Sequence, residues 1–298
     1  MVAILDTGID QAHPAFAGVT MQVQDFTGTS GEDLNGHGTH CAGIVFGRDF
    51  DGRRIGVARG VDHALIGKVL DDTGSGSSEA AFRGIKWASD QGAHVVSMSL
   101  GFDFPGLVED LVESGWPVDL ATSKALESYG GNLRMFETLM ALVRPVQGMS
   151  SGSVVIGAAG NESRRDLDKA YEIAASLPAA AEGVISVGAL GSGPDGLYVG
   201  SFSNSLPLVA APGVDIPSAR SGGGVSVLTG TSMACPHVAG VAAMWWEAAR
   251  AMDLPPDART VASRLIATTR TDGFVSSVGA ADRGNGLVTA PWPGHGVP

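Results

Sequence analysis

The fold class of this chain is decided by one stretch, Val2-Ala3-Ile4-Leu5-Asp6-Thr7-Gly8-Ile9-Asp10. Its opening residues, 2–5, are all apolar, as expected for a strand of a parallel sheet that is covered on both faces. The run ends at a carboxylate, Asp6, and open α/β sheets place their functional groups at this carboxyl edge. The stretch therefore predicts an α/β domain with a functional site beside Asp6.

Apolar runs and helical patterns alternate along the rest of the chain. The further strand-like runs are Ala64–Leu70, Val95–Leu100, Val154–Ala159, Val184–Ala189, Leu208–Ala211 and Val225–Leu228. The helical patterns are Gly38–Phe46, Glu79–Gln91, Leu167–Leu177, His237–Met252 and Ala258–Thr268. Strand alternating with helix predicts a doubly wound α/β domain, with helices flanking a mainly parallel sheet of about seven strands. We expect a single domain over residues 1–298.

One segment, from Phe102 to Ser153, is longer than the connections between such elements usually are. It contains an apolar run at Leu107–Val112 and a helical pattern over Leu133–Val143. We interpret residues 102–153 as an insertion with one or two helices, which forms either a surface elaboration or a lid or substrate-facing element. Near the end of the chain, Gly284–Val288 is expected to be a last short strand, and the tail from residue 290 is expected to be loose.

Charge and composition exclude several classes of protein. The chain has 298 residues, of which 44% are hydrophobic and 17% charged, as is typical of a soluble globular protein. Its formal net charge of −12 disfavours nucleic acid and anionic lipid as partners, because both require clustered Lys and Arg. No apolar run reaches the ~18 residues of a membrane span. The two cysteines cannot form a disulfide framework.

The first residues lack the positively charged region and the long apolar region of a signal peptide. We expect a cytoplasmic protein if Met1 is the true start, and a secreted one if the chain is a fragment of a longer precursor. Because the chain starts inside a core strand, we also expect apolar surface to be uncovered there. A missing N-terminal fragment, a propeptide or a partner chain would then complete the fold.

Two further segments carry chemistry besides Asp6. Asn35–Gly43 places His37 at the start of a helix of small residues, with glycines that allow other backbone to come close. Gly230–Gly240 places Ser232 just before a long helix. A serine hydroxyl is a poor nucleophile unless a base lies within hydrogen-bond reach and a third group orients that base. Ser232, His37 and Asp6 supply these three parts.

Each of these residues also has a purely structural interpretation. A strand-end Asp is often a cap or an ion-pair partner, and a Ser at a helix start is usually an N-cap. The coincidence of Asp6, His37 and Ser232 in glycine-rich surroundings favours catalysis instead. Pro236 is expected in the first turn of the helix after Ser232. The backbone N–H groups at the start of such a helix point towards the site and favour negative charge there.

The three segments resemble the active-site motifs of the subtilase family. The matching stretches are Asp-Thr-Gly-Ile-Asp at Asp6–Asp10, His-Gly-Thr-His-Cys-Ala-Gly at His37–Gly43, and Gly-Thr-Ser-Met-Ala-Cys-Pro-His-Val-Ala-Gly at Gly230–Gly240. The resemblance extends from residue 2 to Gly284–Val288, with the insertion as its main gap. It implies a three-layer subtilisin-like fold and a serine endopeptidase that hydrolyses peptide bonds in proteins.

The resemblance also implies a role for each catalytic residue. Ser232 would attack the peptide carbonyl, His37 would take its proton and Asp6 would hold the His37 tautomer, in the chain order of subtilisin. The segment Ala158–Glu162 resembles the oxyanion-hole stretch of the family, so Asn161 is expected to bind the developing negative charge together with the Ser232 backbone N–H.

Substrate binding follows from the same resemblance. Two strands are expected to hold a protein or peptide substrate as an extended strand, and a pocket is expected next to the scissile bond. The expected substrate-binding residues are Gly74, Ser75, Gly76, Ser99, Leu100, Gly101, Ala158, Ala159 and Gly160. The segment Ser163–Glu182 is expected to remodel the far wall of that pocket. The chemistry requires no cofactor and no metal.

Three points depart from the family pattern or stay open. The position of a structural calcium ligand in many relatives aligns with Ala15, and Arg48–Gly52 is interpreted as a polar hairpin in preference to a calcium loop. Cys41 and Cys235 are expected to be inert and buried behind the site, with a disulfide as the alternative. Two alternative functions are a catalytically silent peptide-binding module, and peptide transfer or ring closure in which the insertion shields the acyl-enzyme from water.

Overall fold

The computed structural model describes residues 1–145 and 151–292. Its strands are β1 (Val2–Asp6), β2 (Thr20–Asp25), β3 (His63–Lys68), β4 (Val95–Met98), β5 (Val154–Ala158), β6 (Val184–Gly193), β7 (Gly196–Val199), β8 (Val209–Pro212), β9 (Ile216–Ala219) and β10 (Val225–Leu228). Its α-helices are α1 (His37–Phe46), α2 (Ser78–Asp90), α3 (Phe104–Glu113), α4 (Val118–Val143), α5 (Thr231–Ala251), α6 (Ala258–Ala267) and α7 (Ala280–Arg283), and Pro14–Phe16 is a 3₁₀ turn.

One large sheet organises the described part of the chain. Its strand order is β2-β3-β1-β4-β5-β6-β7, and β8 also pairs with β6. Every pairing is parallel except that of β6 with β7. The predicted mainly parallel α/β fold is therefore confirmed. The strand predicted at Val225–Leu228 is β10, but it forms a separate two-stranded sheet with β9.

Two hydrophobic cores lie on opposite faces of this sheet. Alternate residues of β1 enter different cores: Val2 and Ile4 join the one that contains α1, α5 and α6, while Ala3 and Leu5 join the one that contains α2 and α4. This alternation is the ordinary period of a strand, and here both faces are apolar because both are covered. The result is three layers, with helices on each side of the sheet.

The insertion folds as two helices, α3 and α4, as predicted. The last turns of α4 belong to the core, where Phe136, Leu139, Met140 and Val143 are buried. The first turns of α4 are mixed: Ala121 and Ala125 are buried, whereas the side chains of Val118, Leu120 and Leu126 are more than half exposed. The insertion is therefore in part a surface elaboration and in part packed on the core, through Phe102 and the end of α4.

The helix predicted at Leu167–Leu177 is wrong. The segment runs through turns and then pairs with a distant strand-like stretch, since Ala174 forms a parallel bridge with Ser205. The Ile173 backbone N–H also donates to Ser163 Oγ at 3.1 Å. Such tertiary contacts override a helical preference that is worth only tenths of a kcal/mol per residue.

The predicted closing strand at Gly284–Val288 is reduced to single bridges. Leu287 pairs with Ala210 on one side and with Arg270 on the other. The last residues of the predicted loose tail, 293–298, lie outside the described residues. Among the described helices, none is both long enough and apolar enough to cross a membrane.

The first strand is covered, contrary to expectation. Val2, Ala3, Ile4 and Leu5 are each at most 1% exposed. β1 lies between β3 and β4, and helices cover both of its faces, so no apolar surface of this strand is left for another segment to cover.

The loop Arg48–Gly52 forms the predicted polar hairpin. Phe50 and Arg53 exchange two backbone hydrogen bonds, each 2.9 Å long. The Asp49 carboxylate is engaged by Arg59, whose Nη1 donates to Asp49 Oδ2 at 2.7 Å. The Asp49 charge is therefore paired with Arg59, and the turn itself is closed by backbone hydrogen bonds.

Candidate active site

The predicted catalytic residues meet at the carboxyl edge of the sheet. Asp6 is the last residue of β1, His37 the first of α1 and Ser232 the second of α5. The edge where parallel strands end is the usual location of functional sites in open α/β sheets. Elements that are far apart in sequence are thus brought to one place.

Asp6 and His37 form a short pair in which the carboxylate is buried and the imidazole is partly exposed. His37 Nδ1 lies 2.7 Å from Asp6 Oδ1, and the Asp6 side chain is only 1% exposed. Burial is the largest single influence on the imidazole and by itself lowers its pKa. The charge of Asp6, the Cys41 thiol and the hydrogen bonds to both act in the opposite direction, so the pKa of His37 is raised well above its ordinary value. Asp6 therefore stabilises a protonated His37.

Glycines allow β1 and α1 to approach each other this closely. A Cβ at Gly38 would overlap the carbonyl oxygen of Gly8 and would lie 3.2 Å from Asp6 Cβ. Gly8 itself has a φ of +113°, which favours glycine, and a Cβ there would lie 3.1 Å from the Glu32 carbonyl oxygen. A larger residue at Gly38 would push His37 away from Asp6.

Asp33 holds the start of α1, and the sequence analysis did not identify it. Asp33 is 3% exposed. Its Oδ1 accepts hydrogen bonds from Thr7 Oγ1 and the Gly36 N–H, both at 2.8 Å. Its Oδ2 accepts from the Thr39 N–H at 2.7 Å and from Thr39 Oγ1 at 2.6 Å. One carboxylate thus ties the loop after β1 to the first turn of the helix that carries His37. The available signal was an Asp a few residues before a helix start, a pattern that is typical of capping.

The helix that carries Ser232 contains an internal proline. Pro236 lies in the second turn of α5, which begins at Thr231, and not in the first turn as predicted. Since proline has no N–H, the carbonyl four residues earlier, that of Ser232, loses its partner within the helix. Ser99 Oγ donates to this Ser232 carbonyl oxygen at 2.8 Å, and Cys41 Sγ approaches it at 3.4 Å. The Ser232 backbone is therefore anchored from outside its own helix.

The Ser232 hydroxyl faces the same cleft as His37. Its Oγ donates a long hydrogen bond, 3.4 Å, to the Ser99 carbonyl oxygen. Among the described residues, no hydrogen bond joins Ser232 Oγ to the His37 imidazole. The Ser232 hydroxyl is therefore engaged with the Ser99 carbonyl and not with His37. Catalytic hydrogen bonds are often long in ligand-free enzymes and tighten when substrate is bound.

Asn161 is fixed by its amide oxygen. Asn161 Oδ1 accepts from the Thr231 N–H at 2.8 Å and from Thr231 Oγ1 at 3.0 Å. Thr231 Oγ1 also accepts from the Gly160 N–H at 3.1 Å. Thr231 thus holds the Asn161 amide oxygen at the start of α5. The Asn161 Nδ2 group donates to no side chain or carbonyl among the described residues. It is free to donate into the cleft beside Ser232.

The cleft itself encloses about 750 Å³. Of the predicted substrate-binding residues, those that line it are Gly74, Ser75, Gly76, Ser99, Leu100, Gly101, Ala158 and Gly160. Ala159 is fully buried and does not line it. From the segment expected to remodel the far wall, Leu177 and Pro178 line the cleft. The loop Leu70–Gly76 is closed by an antiparallel bridge between its end residues.

A second residue that the sequence analysis did not identify, Asn204, lies under this wall. It is fully buried, and its Oδ1 accepts from the N–H groups of Glu162 and Ser163 at 3.1 and 3.0 Å. Its Nδ2 donates to the Ala159 carbonyl oxygen at 3.1 Å and to Glu162 Oε2 at 2.6 Å. Asn204 therefore fixes the backbone on both sides of Gly160 and Asn161.

The one cluster of potential metal-ligating side chains among the described residues does not have the chemistry of a calcium site. Within the described ranges, one group of three potential ligands comes together: Asp6, His37 and Cys41. This group contains a thiol and an imidazole, whereas Ca²⁺ requires six or more oxygen ligands. Ala15 has no ligating side chain, and its carbonyl oxygen already accepts the Arg48 N–H at 2.7 Å.

Both cysteines are buried and free, so no disulfide is present between them. Burial raises the pKa of Cys235 to about 12. Burial likewise raises the pKa of Cys41, although its Sγ lies 3.9 Å from His37 Nδ1. At neutral pH both thiols are protonated, which agrees with the predicted role as inert small residues.

Comparison with known proteins gives consistent matches. The chain is 33% identical over 248 residues to the thermophilic serine proteinase of Bacillus sp. (strain AK1), covering 82% of this chain and 51% of that protein. It is 35% identical over 249 residues to the intracellular serine protease of Paenibacillus polymyxa, covering 82% and 65%. The matched region thus spans about half to two thirds of these relatives' own length.

Solved structures agree with the sequence matches. The protease domain of PatA superposes with a TM-score of 0.66 at 26% identity, covering 97% of this chain and 91% of that one. A cold adapted subtilisin-like serine proteinase has the same TM-score and identity, covering 98% and 88%. The family model described as the Subtilase family matches residues 1–286, and the chain therefore belongs to the subtilase family.

Proposed function

We propose that this chain is a serine endopeptidase that hydrolyses peptide bonds through Ser232, His37 and Asp6. The observation that carries the proposal is the 2.7 Å contact between Asp6 Oδ1 and His37 Nδ1 in a cleft that Ser232 also lines. This contact leaves His37 Nε2 as the ring nitrogen that can accept a proton from Ser232 Oγ. The names of the relatives, all of them proteases, support the same activity.

The reaction uses these residues in two stages. Ser232 Oγ attacks the substrate carbonyl carbon while His37 takes the hydroxyl proton, and Asp6 stabilises the imidazolium that forms. His37 then gives the proton to the leaving amine, and an acyl-enzyme ester remains on Ser232. Water, activated by His37 in the same way, cleaves the ester and restores the free serine.

Negative charge on the carbonyl oxygen is stabilised by Asn161 Nδ2 and the Ser232 backbone N–H. Thr231 holds the Asn161 oxygen in place, so the donor needs no reorientation when charge develops. A single donor of this kind is worth about 3–4 kcal/mol, a range that comes from subtilisin itself.

The substrate would bind as an extended strand between the loop at Gly74–Gly76 and the segment Ser99–Gly101. Both border the cleft, and main-chain hydrogen bonds would supply affinity while pockets supply preference. From the insertion, Phe102, Asp103 and Asp110 line the cleft, which supports the substrate-facing alternative for this segment. The intracellular name of the Paenibacillus relative favours the cytoplasmic alternative for this chain.

The test is labelling with a fluorophosphonate, followed by product analysis. The probe should react with Ser232, and Ser232→Ala should abolish the labelling. A defined peptide should then be cleaved into two fragments. An untouched peptide would favour the silent binding module, and a joined or cyclic product would favour peptide transfer. Normal labelling of the alanine variant would refute the assignment of Ser232.

A further inference from the structure

Lys68, the last residue of β3, is a lysine that solvent does not reach. Its side chain is 0% exposed, which is rare for lysine unless the ammonium is paired. The Nζ atom donates to the carbonyl oxygens of Thr7 and Glu32, at 2.7 and 3.0 Å, and to Asp72 Oδ1 at 2.6 Å. An ammonium group has three N–H donors, so each of them finds an acceptor inside the protein.

The first acceptor belongs to the residue that fixes the Asp6 carboxylate. Asp6 lies beside Lys68 in the parallel pairing of β1 with β3, and Thr7 follows it. The Thr7 N–H donates to Asp6 Oδ1 at 2.8 Å, and the same oxygen contacts His37 Nδ1 at 2.7 Å. Thr7 Oγ1 accepts from the Gly38 N–H at 2.9 Å, in the first turn of α1. The ammonium therefore holds the residue that connects the Asp6 carboxylate to the helix of His37.

The other two acceptors lie in segments that border the catalytic edge. Glu32 lies in the segment that leads into α1. Asp72 lies in the loop Leu70–Gly76, which borders the cleft, and its side chain is 35% exposed. These two segments also meet directly, because Asn35 Nδ2 donates to the Asp72 carbonyl oxygen at 3.3 Å. Lys68 thus joins the end of β1, the approach to α1 and the substrate loop at one atom.

The charge of Lys68 is matched to its surroundings. Thr7 also bonds two buried carboxylates, those of Asp6 and Asp33, which are 1% and 3% exposed. Within residues 1–145 and 151–292, Lys68 is the one lysine or arginine that is buried. A buried charge is retained where opposite charge and hydrogen bonds compensate its loss of water. A neutral side chain of the same length would fill the space and leave the three oxygens without these donors.

We propose that Lys68 is a positioning residue for the reaction, which holds Asp6 against His37 through Thr7 and holds the substrate loop through Asp72. The inference rests on the proposed function. Removal of the ammonium would free the Thr7 carbonyl and let the Asp6 carboxylate turn from the imidazole, so proton transfer by His37 would slow. Loss of the Asp72 link alone would loosen the loop and weaken substrate binding, and the Asp6–His37 pair would stay intact.

The experiment separates these two links by the kinetics of two variants. Hydrolysis of a peptide aminocoumarin amide that the parent chain cleaves is measured per active site, with active sites counted by fluorophosphonate titration. Lys68→Met keeps the unbranched apolar stem without its donors and should lower kcat about 10- to 100-fold, the effect of a misplaced catalytic group. Asp72→Asn should raise KM about 3- to 10-fold, as expected for a weakened charged hydrogen bond, and leave kcat within about twofold.

A proton NMR signal reports on the Asp6–His37 pair directly. The proton between His37 Nδ1 and Asp6 Oδ1 lies in a short hydrogen bond to a charged acceptor, so it should resonate downfield of the amide protons when the imidazole is protonated. Lys68→Met should shift this signal towards the amide region or abolish it, and Asp72→Asn should preserve it. A lysine that serves stability alone would lower the thermal midpoint and leave both the signal and kcat unchanged.

An exposed pair of the same kind provides the matched control. Lys86 and Asp90 are also four residues apart, with Nζ 2.5 Å from Oδ2, but both side chains are more than half exposed. Neither residue lines the cleft. Lys86→Met and Asp90→Asn should therefore leave kcat, KM and the downfield signal unchanged.

Each outcome decides the inference. An unchanged kcat and downfield signal in a folded Lys68→Met variant, or an unchanged KM in Asp72→Asn, overturns it and leaves the proposed function standing. If Lys68→Met does not fold, Lys68→Gln provides the second reading, since its amide can reach a carbonyl but not all three acceptors. Failure of both to fold assigns Lys68 to stability and overturns the inference. A parent chain with neither cleavage nor labelling of Ser232 overturns the proposed function as well.

Discussion

Replacement of Asp33 by asparagine should destabilise the catalytic edge of the sheet. The carboxylate accepts four hydrogen bonds from Thr7, Gly36 and Thr39 and is almost fully buried. Asparagine has the same shape but only one acceptor oxygen. Its amide nitrogen must therefore face either the Gly36 N–H or the Thr39 N–H, and neither of these backbone donors can turn away.

The magnitude follows from these contacts. One buried N–H without a partner costs about 1–3 kcal/mol, and the other bonds lose the strengthening that a charged acceptor gives. The loss of a buried charge, which no longer has to be desolvated, offsets part of this cost. We expect a net loss of about 3 kcal/mol in the free energy of unfolding. For a chain of this size that corresponds to a midpoint about 6–12 °C lower.

The assay is thermal unfolding in a Ser232→Ala background, which prevents self-digestion during the scan. Asp10→Asn is the control, because Asp10 also accepts two backbone N–H groups, from Ala12 and Gly222, but lies partly exposed at the edge of the same loop. It should shift the midpoint by less than about 3 °C. If Asp33→Asn shifts the midpoint no more than Asp10→Asn does, Asp33 does not hold the start of α1.

Three further predictions concern the chemistry and its support. Asn161→Ala should lower kcat by about 10²–10³ with little change in KM, because the donor acts on charge that is absent from the bound substrate; a loss mainly in KM would indicate substrate binding instead. In the proposed mechanism His37 acts as a base only when it is neutral, and its pKa is raised well above the ordinary value. The value of kcat/KM should therefore rise with pH through that raised pKa. A pH profile that is already level at mildly acidic pH would contradict this. Ser99→Ala should cost about 1–2 kcal/mol in urea unfolding, since the Ser232 carbonyl would keep only the weak Cys41 donor, and an unchanged midpoint would show that Ser99 is dispensable.

The residues that the sequence analysis placed at one site, and that the structure brings to one edge of the sheet, are those within unbroken motifs. Asp6 and His37 lie in runs whose glycines allow β1 and α1 to approach closely, and His37 and Ser232 both lie at the start of a helix. The sequence analysis did not identify Asp33 and Asn204, which lie outside such motifs. The local signal for Asp33 was only its position before a helix start, and its bond to Thr7, like the bonds that Asn204 makes to Ala159 and Glu162, joins residues that are adjacent only after folding.

The fold shows the same division. Strands with apolar residues on both faces, such as β1 and β5, were recognisable because burial in a parallel sheet dictates their composition. The edge strand β2 was missed since its residues alternate between partly buried and exposed, which gives no apolar run. The segment 167–177 was assigned the wrong structure because its conformation depends on pairing with Ser205 and not on its own helical preference.

Pro236 illustrates how a local cost serves the site. A proline inside a helix removes one hydrogen bond and disfavours the helix there. In this chain the freed carbonyl belongs to Ser232, and its two donors come from other elements: Ser99 from the segment that borders the substrate cleft, and Cys41 from the helix that begins at His37. The Ser232 carbonyl oxygen thereby joins the start of α5 to the segment that borders the cleft and to α1. A regular helix would have satisfied this carbonyl internally. The proline instead couples Ser232 to the two elements whose geometry relative to it the proposed acyl transfer would need to keep fixed.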